Sequence, residues 1–390
     1  MIKRNILECM TLVGKAPSHY EGAKTYVSTG AVDCDHIDYK QTEQVTYDTR
    51  PSRANLSVTS GDILFAKMYG TKKTLRINDV MAKYLFSTGF CAVRANESVM
   101  IADLLYHLLS SEQFLTQKDQ NSSGATQKAI TNAGLKKITI HVSDLEEQRV
   151  LAAKLDCIEQ MMAKRRIQIE CFDQLVKSRF IEMFGDPMTN PYNLPKVILG
   201  SVLTIEPQNG LYKPQSDYVS DGTGVPILRI DSFYEGKVSN LSSLRRLICS
   251  EIELKRYSLY ENDIVINRVN SIEYLGKCGL IQGLVENTVF ESNMMRLHVD
   301  EHKFHPVYIT KLLCSEFIYQ QILRRAKKAV NQASINQKDV QSFVVYMPPI
   351  EQQDQFAAFV KQTDKSKLAI QKSLEKLELL KKALMQEYFR

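Results

Sequence analysis

The histidines are the residues whose types and spacing come closest to a metal or catalytic site. His298, His302 and His305 follow an HxxxHxxH spacing, and histidines at short intervals can bind zinc. However, His298 belongs to a predicted strand end and Pro306 closes the run, so no single helix face can present all three. We therefore interpret these histidines as part of a surface turn, with a metal site as the alternative.

Other catalytic motifs are missing or incomplete in this sequence. There is no GxxxxGK[ST] phosphate loop and no GxGxxG turn after a strand, which argues against nucleotide hydrolysis and a bound dinucleotide. Asn190-Pro191-Tyr192 resembles part of an amino-methyltransferase motif, and Glu253-Leu254-Lys255 could be half of a nuclease metal site. A loop and a charged helix segment explain these tripeptides more simply. We predict that the chain is a binding protein and not a catalyst.

Basic residues interleaved with Asn and Gln recur at corresponding places in the two halves of the chain. Arg and Lys can contact phosphates or guanine edges, and Asn and Gln can pair with adenine through two hydrogen bonds. The candidate nucleic-acid contacts are, in the first half, Lys67, Tyr69, Lys72, Lys73, Arg76, Thr126, Gln127 and Lys128. In the second half they are Arg268, Asn270, Lys277, Arg324, Arg325, Lys327, Lys328, Asn331 and Gln332. Any one cluster could instead be a solvated surface, but the recurrence favours a functional interpretation.

Two long apolar-striped stretches must position these clusters. Residues 145–184 and 350–389 each lack proline and glycine, which predicts one uninterrupted helix in each. Their apolar residues follow alternating steps of three and four, so each helix has a single stripe, and we expect the two stripes to pack on each other as an antiparallel coiled coil. The halves are a repeat, because residues 130 and 335, and residues 145 and 350, are both separated by 205 positions.

Each long helix follows a globular segment with the same predicted plan. In the first segment, strands are predicted at 44–47, 62–67 and 90–94, and helices at 6–12 and 101–115. In the second, strands are predicted at 226–230, 263–267 and 294–299, and a helix at 306–323. The sequence therefore predicts an α+β chain with four parts. These are a globular domain at 1–144, a long helix at 145–186, a second globular domain at 187–349 and a second long helix at 350–390.

Composition limits the class of protein. A chain of 390 residues is long enough for two ordinary domains, and 44% hydrophobic with 24% charged residues is typical of a globular protein. The net charge of +6 permits an anionic partner. Eight cysteines without a CxxC pair indicate a reduced, intracellular protein. Because no secretory signal or membrane span is recognisable, we predict a cytoplasmic location and no membrane partner.

Several motifs together resemble the specificity subunits of type I restriction-modification enzymes, over essentially the whole chain. The loops ATQKAI (125–130) and NQASIN (331–336) correspond, as do the helix openings Leu145-Glu146-Glu147-Gln148 and Ile350-Glu351-Gln352-Gln353. The Met347-Pro348-Pro349-Ile350 lead-in belongs to the more specific motif, the opening Pro-Pro-x-x-(Glu/Gln)-Gln, which ends at Gln352-Gln353. The first half departs from it, since Val142-Ser143-Asp144 stands where prolines are usual.

The resemblance implies a fold, partners and a division of labour. It implies two target recognition domains that alternate with the two long helices around a pseudo-twofold axis. It also implies a non-catalytic subunit that recognises a bipartite target in double-stranded DNA. The expected partners are two methyltransferase subunits, which bind S-adenosylmethionine, and restriction subunits, which use ATP and Mg²⁺; no cofactor is expected in this chain.

Two other functions remain open at this point. The chain could be a restriction enzyme or methyltransferase with diverged motifs, in which case it would act on DNA without a partner. It could also be a coiled-coil scaffold whose globular parts bind protein. A DNA affinity that falls steeply with salt concentration would distinguish nucleic-acid binding from the scaffold.

Overall fold

The computed structural model describes residues 1–390 except 126, 235, 239, 240, 331 and 390, and the chain forms two compact units. Unit 1 consists of Met1–Gln168 and Ala369–Arg390, and unit 2 of Ile169–Leu368. Each unit therefore contains one globular segment together with part of both long helices. This division arises because the end of one long helix packs beside the beginning of the other.

Unit 1 is built from short strands and helices that lead into a long helix. Its strands are β1 (Ile2–Asn5), β2 (Met10–Val13), β3 (Lys24–Val27), β4 (Val32–Asp33), β5 (His36–Ile37), β6 (Glu43–Val45), β7 (Ala54–Leu56), β8 (Ile63–Ala66), β9 (Thr74–Arg76), β10 (Leu85–Ser87), β11 (Phe90–Ala95), β12 (Ser122–Ser123), β13 (Ala129–Ile130) and β14 (Thr139–Val142). Its helices are α1 (Ile6–Cys9), α2 (Ala102–Leu109), α3 (Glu112–Gln120), α4 (Asn132–Leu135) and the first part of α5 (Leu145–Phe184).

Two four-stranded sheets form the framework of unit 1. Their orders are β2-β11-β8-β9 and β6-β3-β10-β7, and the second sheet contains one parallel pair, β3 with β10. Strand β8 is buried along its whole length, as its continuous apolar sequence predicts. Phe65 from this strand packs edge-to-face on Phe114 of α3, with ring centroids 5.2 Å apart. Strand β1 pairs with β14, which leads directly into α5.

Unit 2 repeats this plan. Its strands are β15 (Lys196–Ile198), β16 (Gln208–Asn209), β17 (Tyr218–Val219), β18 (Val225–Leu228), β19 (Phe233–Tyr234), β20 (Gly236–Val238), β21 (Arg246–Leu247), β22 (Ile264–Asn267), β23 (Val269–Asn270), β24 (Cys278–Leu280), β25 (Val289–Phe290), β26 (Met294–Leu297), β27 (Lys327–Lys328), β28 (Ala333–Ser334) and β29 (Val344–Tyr346). Its helices are α6 (Glu251–Tyr257), α7 (Pro306–Leu313), α8 (Glu316–Arg325), α9 (Gln337–Gln341) and the first part of α10 (Ile350–Tyr388).

The sheets of unit 2 have corresponding partners. Strands β16-β26-β22-β24 occupy the positions of β2-β11-β8-β9. Two further strands, β20 and then β19, extend this sheet beyond β24. The parallel pair recurs as β18 with β25, and β15 pairs with β29 ahead of α10 just as β1 pairs with β14 ahead of α5. The predicted duplication is therefore present in the hydrogen-bonding topology as well as in the sequence.

The last residue of each helix-opening motif explains why the motif recurs. Gln148 and Gln353 are both fully buried. Each side chain accepts one main-chain N–H and donates to two main-chain carbonyls, at 2.8–3.0 Å, and so ties the first turn of its long helix to its own globular segment. Buried main-chain groups need such partners, because leaving them unpaired costs about 1–3 kcal/mol each.

The long helices have the predicted bounds to within one residue. Asp144 accepts hydrogen bonds from the amides of Glu146 and Glu147 at 3.0 and 2.9 Å and so caps α5. Gly185, at a φ of +76°, ends the helix, because a left-handed residue cannot continue it. The long helices pack antiparallel within each unit. In unit 1, Lys381 bonds Glu159 at 2.6 Å; in unit 2, Lys367 bonds Asp173 at 2.5 Å.

Three of the predicted short helices are corrected by the structure. The single helices predicted at 101–115 and 306–323 are each two helices, α2–α3 and α7–α8, because a new helix begins at Ser111 and at Ser315. The Ser111 hydroxyl accepts the amide of Phe114 at 3.2 Å and so caps the second helix. The helix predicted at 6–12 ends at Cys9, and Met10–Val13 instead pairs with β11 as a strand.

Candidate nucleic-acid interface

A small β-ribbon carries several of the candidate contacts of unit 1. The first ribbon consists of residues 67–69, β12 and β13. Ile130 donates its amide to the carbonyl of Lys67, and Tyr69 donates to the carbonyl of Lys128, both at 2.9 Å. Strand β12 pairs with the other edge of β13, so these two strands form a hairpin laid against the end of β8. These backbone bonds bring two clusters that are about 60 residues apart in sequence onto one surface.

The exposed side chains of the first ribbon are polar, basic and aromatic. Tyr69 is 57% exposed, and the Nζ atom of Lys128 lies 5.9 Å from the centroid of its ring. Gln127 is exposed beside them, and Lys67 is half-buried. Thr126 lies outside the described residues. A flat ring, an amide and an ammonium group on one ribbon can stack on, hydrogen-bond to and neutralise a nucleic acid.

Unit 2 has the same ribbon at the same place. The second ribbon consists of residues 268–270, which include β23, together with β27 and β28 in the order β23-β28-β27. Ile335 donates its amide to the carbonyl of Arg268 at 3.0 Å, which matches the bond of Ile130 to Lys67 in the first ribbon. The hairpin closes where Ala329 donates to Gln332 at 2.7 Å. Neither ribbon could be predicted as a sheet, because strands of two residues show no periodicity.

The side chains of the second ribbon differ from those of the first. Lys327, Lys328 and Gln332 are exposed, whereas the corresponding outer strand of the first ribbon carries Ser122 and Ser123. Asn270 is half-buried, and its side chain accepts the amide of Ser271 at 2.8 Å. Arg268 is half-buried and donates to the carbonyl of Ser292 at 3.1 Å. Asn331 lies outside the described residues.

Four of the predicted contacts make internal bonds away from the exposed ribbon surfaces. Arg76 bonds Asp103 on α2 and Asp156 on α5, and Lys73 donates to the carbonyl of Thr29 at 2.8 Å. Arg325 donates to the hydroxyl of Ser342 at 2.9 Å and to the carbonyl of Gln321 at 3.0 Å. Lys277 places its Nζ atom 4.0 Å from the ring centroid of Tyr274. These side chains stabilise unit 1 or unit 2 through the bonds that they make.

Two predicted residues are exposed without belonging to a ribbon strand. Lys72 is exposed beside Glu112 of α3, and both line a cleft against the last turns of α10. Arg324 is exposed in the last turn of α8, immediately before the second ribbon. A cation at that position also interacts favourably with the helix dipole, so the position of Arg324 can be explained by helix stability without a contact to DNA.

Lys118 holds the first ribbon in place, although the sequence groups it only with the basic residues near the loop at 121–129. Its side chain is fully buried, and its Nζ atom donates to the carbonyls of Met68 and Thr71 at 2.8 and 3.0 Å. Burial lowers the pKa of this amine, and the neighbouring carboxylate of Asp119 opposes that effect. No sequence signal marks such a residue, because it lies in a polar run (TQKDQN) that resembles any solvated surface.

The catalytic alternatives are not supported by the geometry. His298 bonds Asp263 at 2.9 Å, His305 accepts the amide of Val307 and so caps α7, and His302 is exposed. Glu253 accepts the amide of Ser250 in a capping box. Among the described residues, His107, Asp156 and Glu159 are the one group with metal-ligand spacing.

The carboxylates of that group already have cationic partners. Arg76 bonds Asp156, and Lys381 bonds Glu159 at 2.6 Å. Both carboxylate charges are therefore neutralised by side chains of the chain itself, and we assign the group to structure. Nor does any described helix combine the length and the apolar character that crossing a membrane requires.

Comparisons with known proteins identify the family. The family described as "Type I restriction modification DNA specificity domain" matches residues 21–171 and 193–381, which is once in each half of the chain. The Escherichia coli K12 type I restriction enzyme EcoKI specificity subunit is 27% identical over 319 residues, covering 77% of this chain and 68% of the relative.

Solved structures show the same fold. The type I restriction-modification S subunit from M. genitalium aligns with a TM-score of 0.58 at 14% identity, over 100% of this chain and 96% of the other. A chain from a structure of type I R-M complex assembly aligns with a TM-score of 0.55 at 20% identity, over 100% and 97%. The chain belongs to the type I restriction-modification specificity subunits, which recognise DNA and are not themselves catalytic.

Proposed function

We propose that this subunit recognises a bipartite, asymmetric target in double-stranded DNA, with one half-site contacted by each unit through its ribbon. The observation that carries the proposal is the recurrence of the same three-stranded ribbon in both units with different exposed side chains. A common backbone allows both units to approach DNA in the same way. Different side chains give each half-site its own sequence.

The first ribbon is suited to base contacts. Gln127 can pair with adenine, and Tyr69 with Lys128 offers a ring and a cation on the same surface. The second ribbon has Gln332 for base contacts, while the paired lysines 327 and 328 on its outer strand are suited to phosphates. The recognition domains would then be residues 1–144 and 187–349, as the sequence predicts.

Binding-site selection from a random DNA library tests this assignment. The subunit, assembled with its methyltransferase partners if needed, is compared with Gln127→Ala and Gln332→Ala. We expect each substitution to relax base preference in one half-site only, at a cost of about 1–3 kcal/mol for the preferred base. Lys327→Ala with Lys328→Ala should weaken binding to all sequences and reduce the salt dependence. A loss of preference in both half-sites from one Gln substitution would contradict the proposal.

The long helices are proposed to set the distance between the half-sites. Helix α5 has 40 residues and a length of about 60 Å at 1.5 Å per residue. Inserting one heptad at matched positions in α5 and α10 adds about 10 Å, or roughly 3 base pairs at 3.4 Å each. The selected target should keep both half-sites and gain a longer gap. An unchanged gap would refute the role of the helices as a spacer.

The partners proposed for the assembled enzyme follow from the same family. Two methyltransferase subunits would bind S-adenosylmethionine, and restriction subunits would use ATP and Mg²⁺. The charged outer faces of α5 and α10 are the surfaces that we propose for docking these subunits. The stoichiometry can be measured by native mass spectrometry of the complex on its DNA target.

A further inference from the structure

Two thiols in unit 2 lie in contact. Cys278 begins β24 and is fully buried, whereas Cys314 follows the last residue of α7 and is exposed. Their Sγ atoms are 3.5 Å apart, and the Sγ of Cys314 lies 3.9 Å from the carbonyl oxygen of Cys278. A disulfide has an S–S distance of about 2.05 Å, so a shift of about 1.5 Å would join them. Both residues are thiols in this structure.

The two thiols differ in how a reagent can reach them. Cys314 borders two clefts, one shared with Phe180 and Ile181 of α5 and the other with Lys277 and Tyr319. A small oxidant in either cleft can reach Cys314, whereas the side chain of Cys278 is fully buried. An exposed thiol that reacts first, beside a buried thiol that resolves the product, is the arrangement found in redox-active cysteine pairs.

We propose that Cys278 and Cys314 form a reversible disulfide that fixes the α7–α8 junction to the central sheet of unit 2. The oxidant is a low-molecular-weight disulfide. The thiolate of Cys314 attacks it, forms a mixed disulfide and releases one thiolate. Cys278 then loses its proton and attacks the sulfur of Cys314, which releases the second thiolate. In total, two protein thiols lose two protons and two electrons, and one reagent disulfide becomes two thiols.

The position of the pair connects it to the second ribbon. The amide of Asn267 donates to the carbonyl of Lys277 at 2.8 Å, so the segment between them, which includes β23, is a closed loop that ends next to Cys278. The disulfide would therefore fix one end of the segment that carries the inner strand of the ribbon. This consequence for DNA binding rests on the proposed function, whereas the disulfide itself does not.

Unit 1 cannot form an equivalent bond. Thr74 occupies the position of Cys278, because it pairs with β8 as Cys278 pairs with β22. Ser110 occupies the position of Cys314, because it follows α2 as Cys314 follows α7. Oxidation should therefore affect unit 2 alone, which makes unit 1 an internal control. Cys157 and Cys171 on α5 are exposed and provide reference sites for oxidation of single thiols.

The proposal is tested by treating the purified full chain with oxidised glutathione. Alkylation and peptide mass spectrometry then identify the modified cysteines. We expect a peptide crosslinked between Cys278 and Cys314 that dithiothreitol removes, and slower hydrogen exchange in β24 and at the end of α7. Formation should be faster at higher pH, because the hydrogen bond to Cys314 and burial raise the pKa of Cys278.

Two variants separate the steps. Cys278→Ser should stop the reaction at a stable glutathione adduct on Cys314, and Cys314→Ser should abolish the crosslink while Cys278 stays unmodified. Two results in the unsubstituted chain would overturn the proposal. One is a lasting adduct on Cys314 without the crosslink. The other is oxidation of Cys157 or Cys171 while Cys314 and Cys278 both stay unmodified. Failure of DNA half-site selection would instead concern the proposed function, because the crosslink is measured without DNA.

Discussion

The two units attach their globular segments to the long helices in different ways. In unit 1 the contact combines buried aliphatic side chains, among them Leu151 and Leu155 of α5, with a polar cluster. In that cluster His107 of α2 is fully buried and lies 2.9 Å from Asp156 of α5, which also bonds Arg76. In unit 2 the contact is aromatic: Phe180 and Phe184 of α5 pack on Tyr308 of α7 and Phe356 of α10, with ring centroids 4.6–5.6 Å apart.

The difference shows what the duplication conserves. Sheet order, ribbon and buried glutamine are common to both units, whereas the side chains that join each domain to the helices have diverged. An aromatic contact gains stability from buried area and is insensitive to pH. A buried polar contact depends on complete pairing and on protonation. We therefore expect the two units to respond differently to the same kind of perturbation.

The largest expected effect is in the aromatic contact. Phe356 is fully buried, and Phe356→Ala should destabilise unit 2 by about 3–5 kcal/mol through lost burial and a cavity. Denaturant-dependent hydrogen exchange, resolved by peptide, measures each unit separately. Phe356→Leu is the matched control, because Leu151 occupies the corresponding position in unit 1. This substitution should lower the stability of unit 2 by less than about 1.5 kcal/mol. Equal losses in the two units would show that they do not unfold independently.

A smaller effect is expected in the polar contact. Asp156→Asn removes the charge opposite Arg76 and should destabilise unit 1 by about 2 kcal/mol. Asp103→Asn is the control, since Asp103 also bonds Arg76 but is 57% exposed, and it should cost no more than about 1 kcal/mol. In a double-mutant cycle with Arg76→Leu, the Asp156 effect should become smaller, because only the bond to His107 remains. An undiminished Asp156 effect in that background would mean that the ion pair is not what stabilises the contact.

The smallest effect is a pH dependence of unit 1. Burial is the largest influence on His107 and lowers its pKa, although Glu159 and Asp156 oppose it. The unfolded chain therefore takes up the proton first, and unit 1 should lose stability as pH falls from about 6.5 towards the lower folded pKa. His107→Asn should remove this slope from the hydrogen exchange of unit 1. His305→Asn is the control, because burial also lowers the pKa of His305, but in unit 2.

Asp156 titrates in a separate, more acidic range. Burial would raise its pKa, but hydrogen bonds from Arg76 and His107 outweigh burial and lower it. Its contribution is therefore complete above the ordinary aspartate pKa of about 4 and is lost as pH falls through the lower folded value. A stability change of unit 1 between pH 5 and pH 7 that survived His107→Asn would show that another group is responsible.

The sequence predicted the elements whose signal extends over many residues. Two stretches of about 40 residues without proline or glycine, and a constant spacing between repeated motifs, predicted the long helices and the duplication. The ribbons were not predicted as sheets, because their strands have two residues each. The recurrence of basic clusters nevertheless drew attention to the segments that form them.

Side-chain roles were harder to predict, because the partners of a charged residue are remote in sequence. Arg76 was grouped with its neighbours, but its partner Asp156 is 80 positions away. Arg325 was grouped with Lys327 and Lys328, but it bonds Ser342 across the end of α8. A cluster of like charges thus contains both surface residues and residues that hold the fold, and only the three-dimensional contacts separate them.

Transplantation of one ribbon tests most directly whether each unit recognises its own half-site. Lys327 and Lys328 of the second ribbon are each replaced by Ser, as in the outer strand of the first ribbon, and Asn270 is replaced by Tyr to correspond to Tyr69. Gln332 is kept, because Gln127 occupies the corresponding position in the first ribbon. Binding-site selection should return a target whose second half-site has changed and whose first half-site and gap are unaltered. A target that changes in both half-sites, or in neither, would contradict recognition by two independent ribbons.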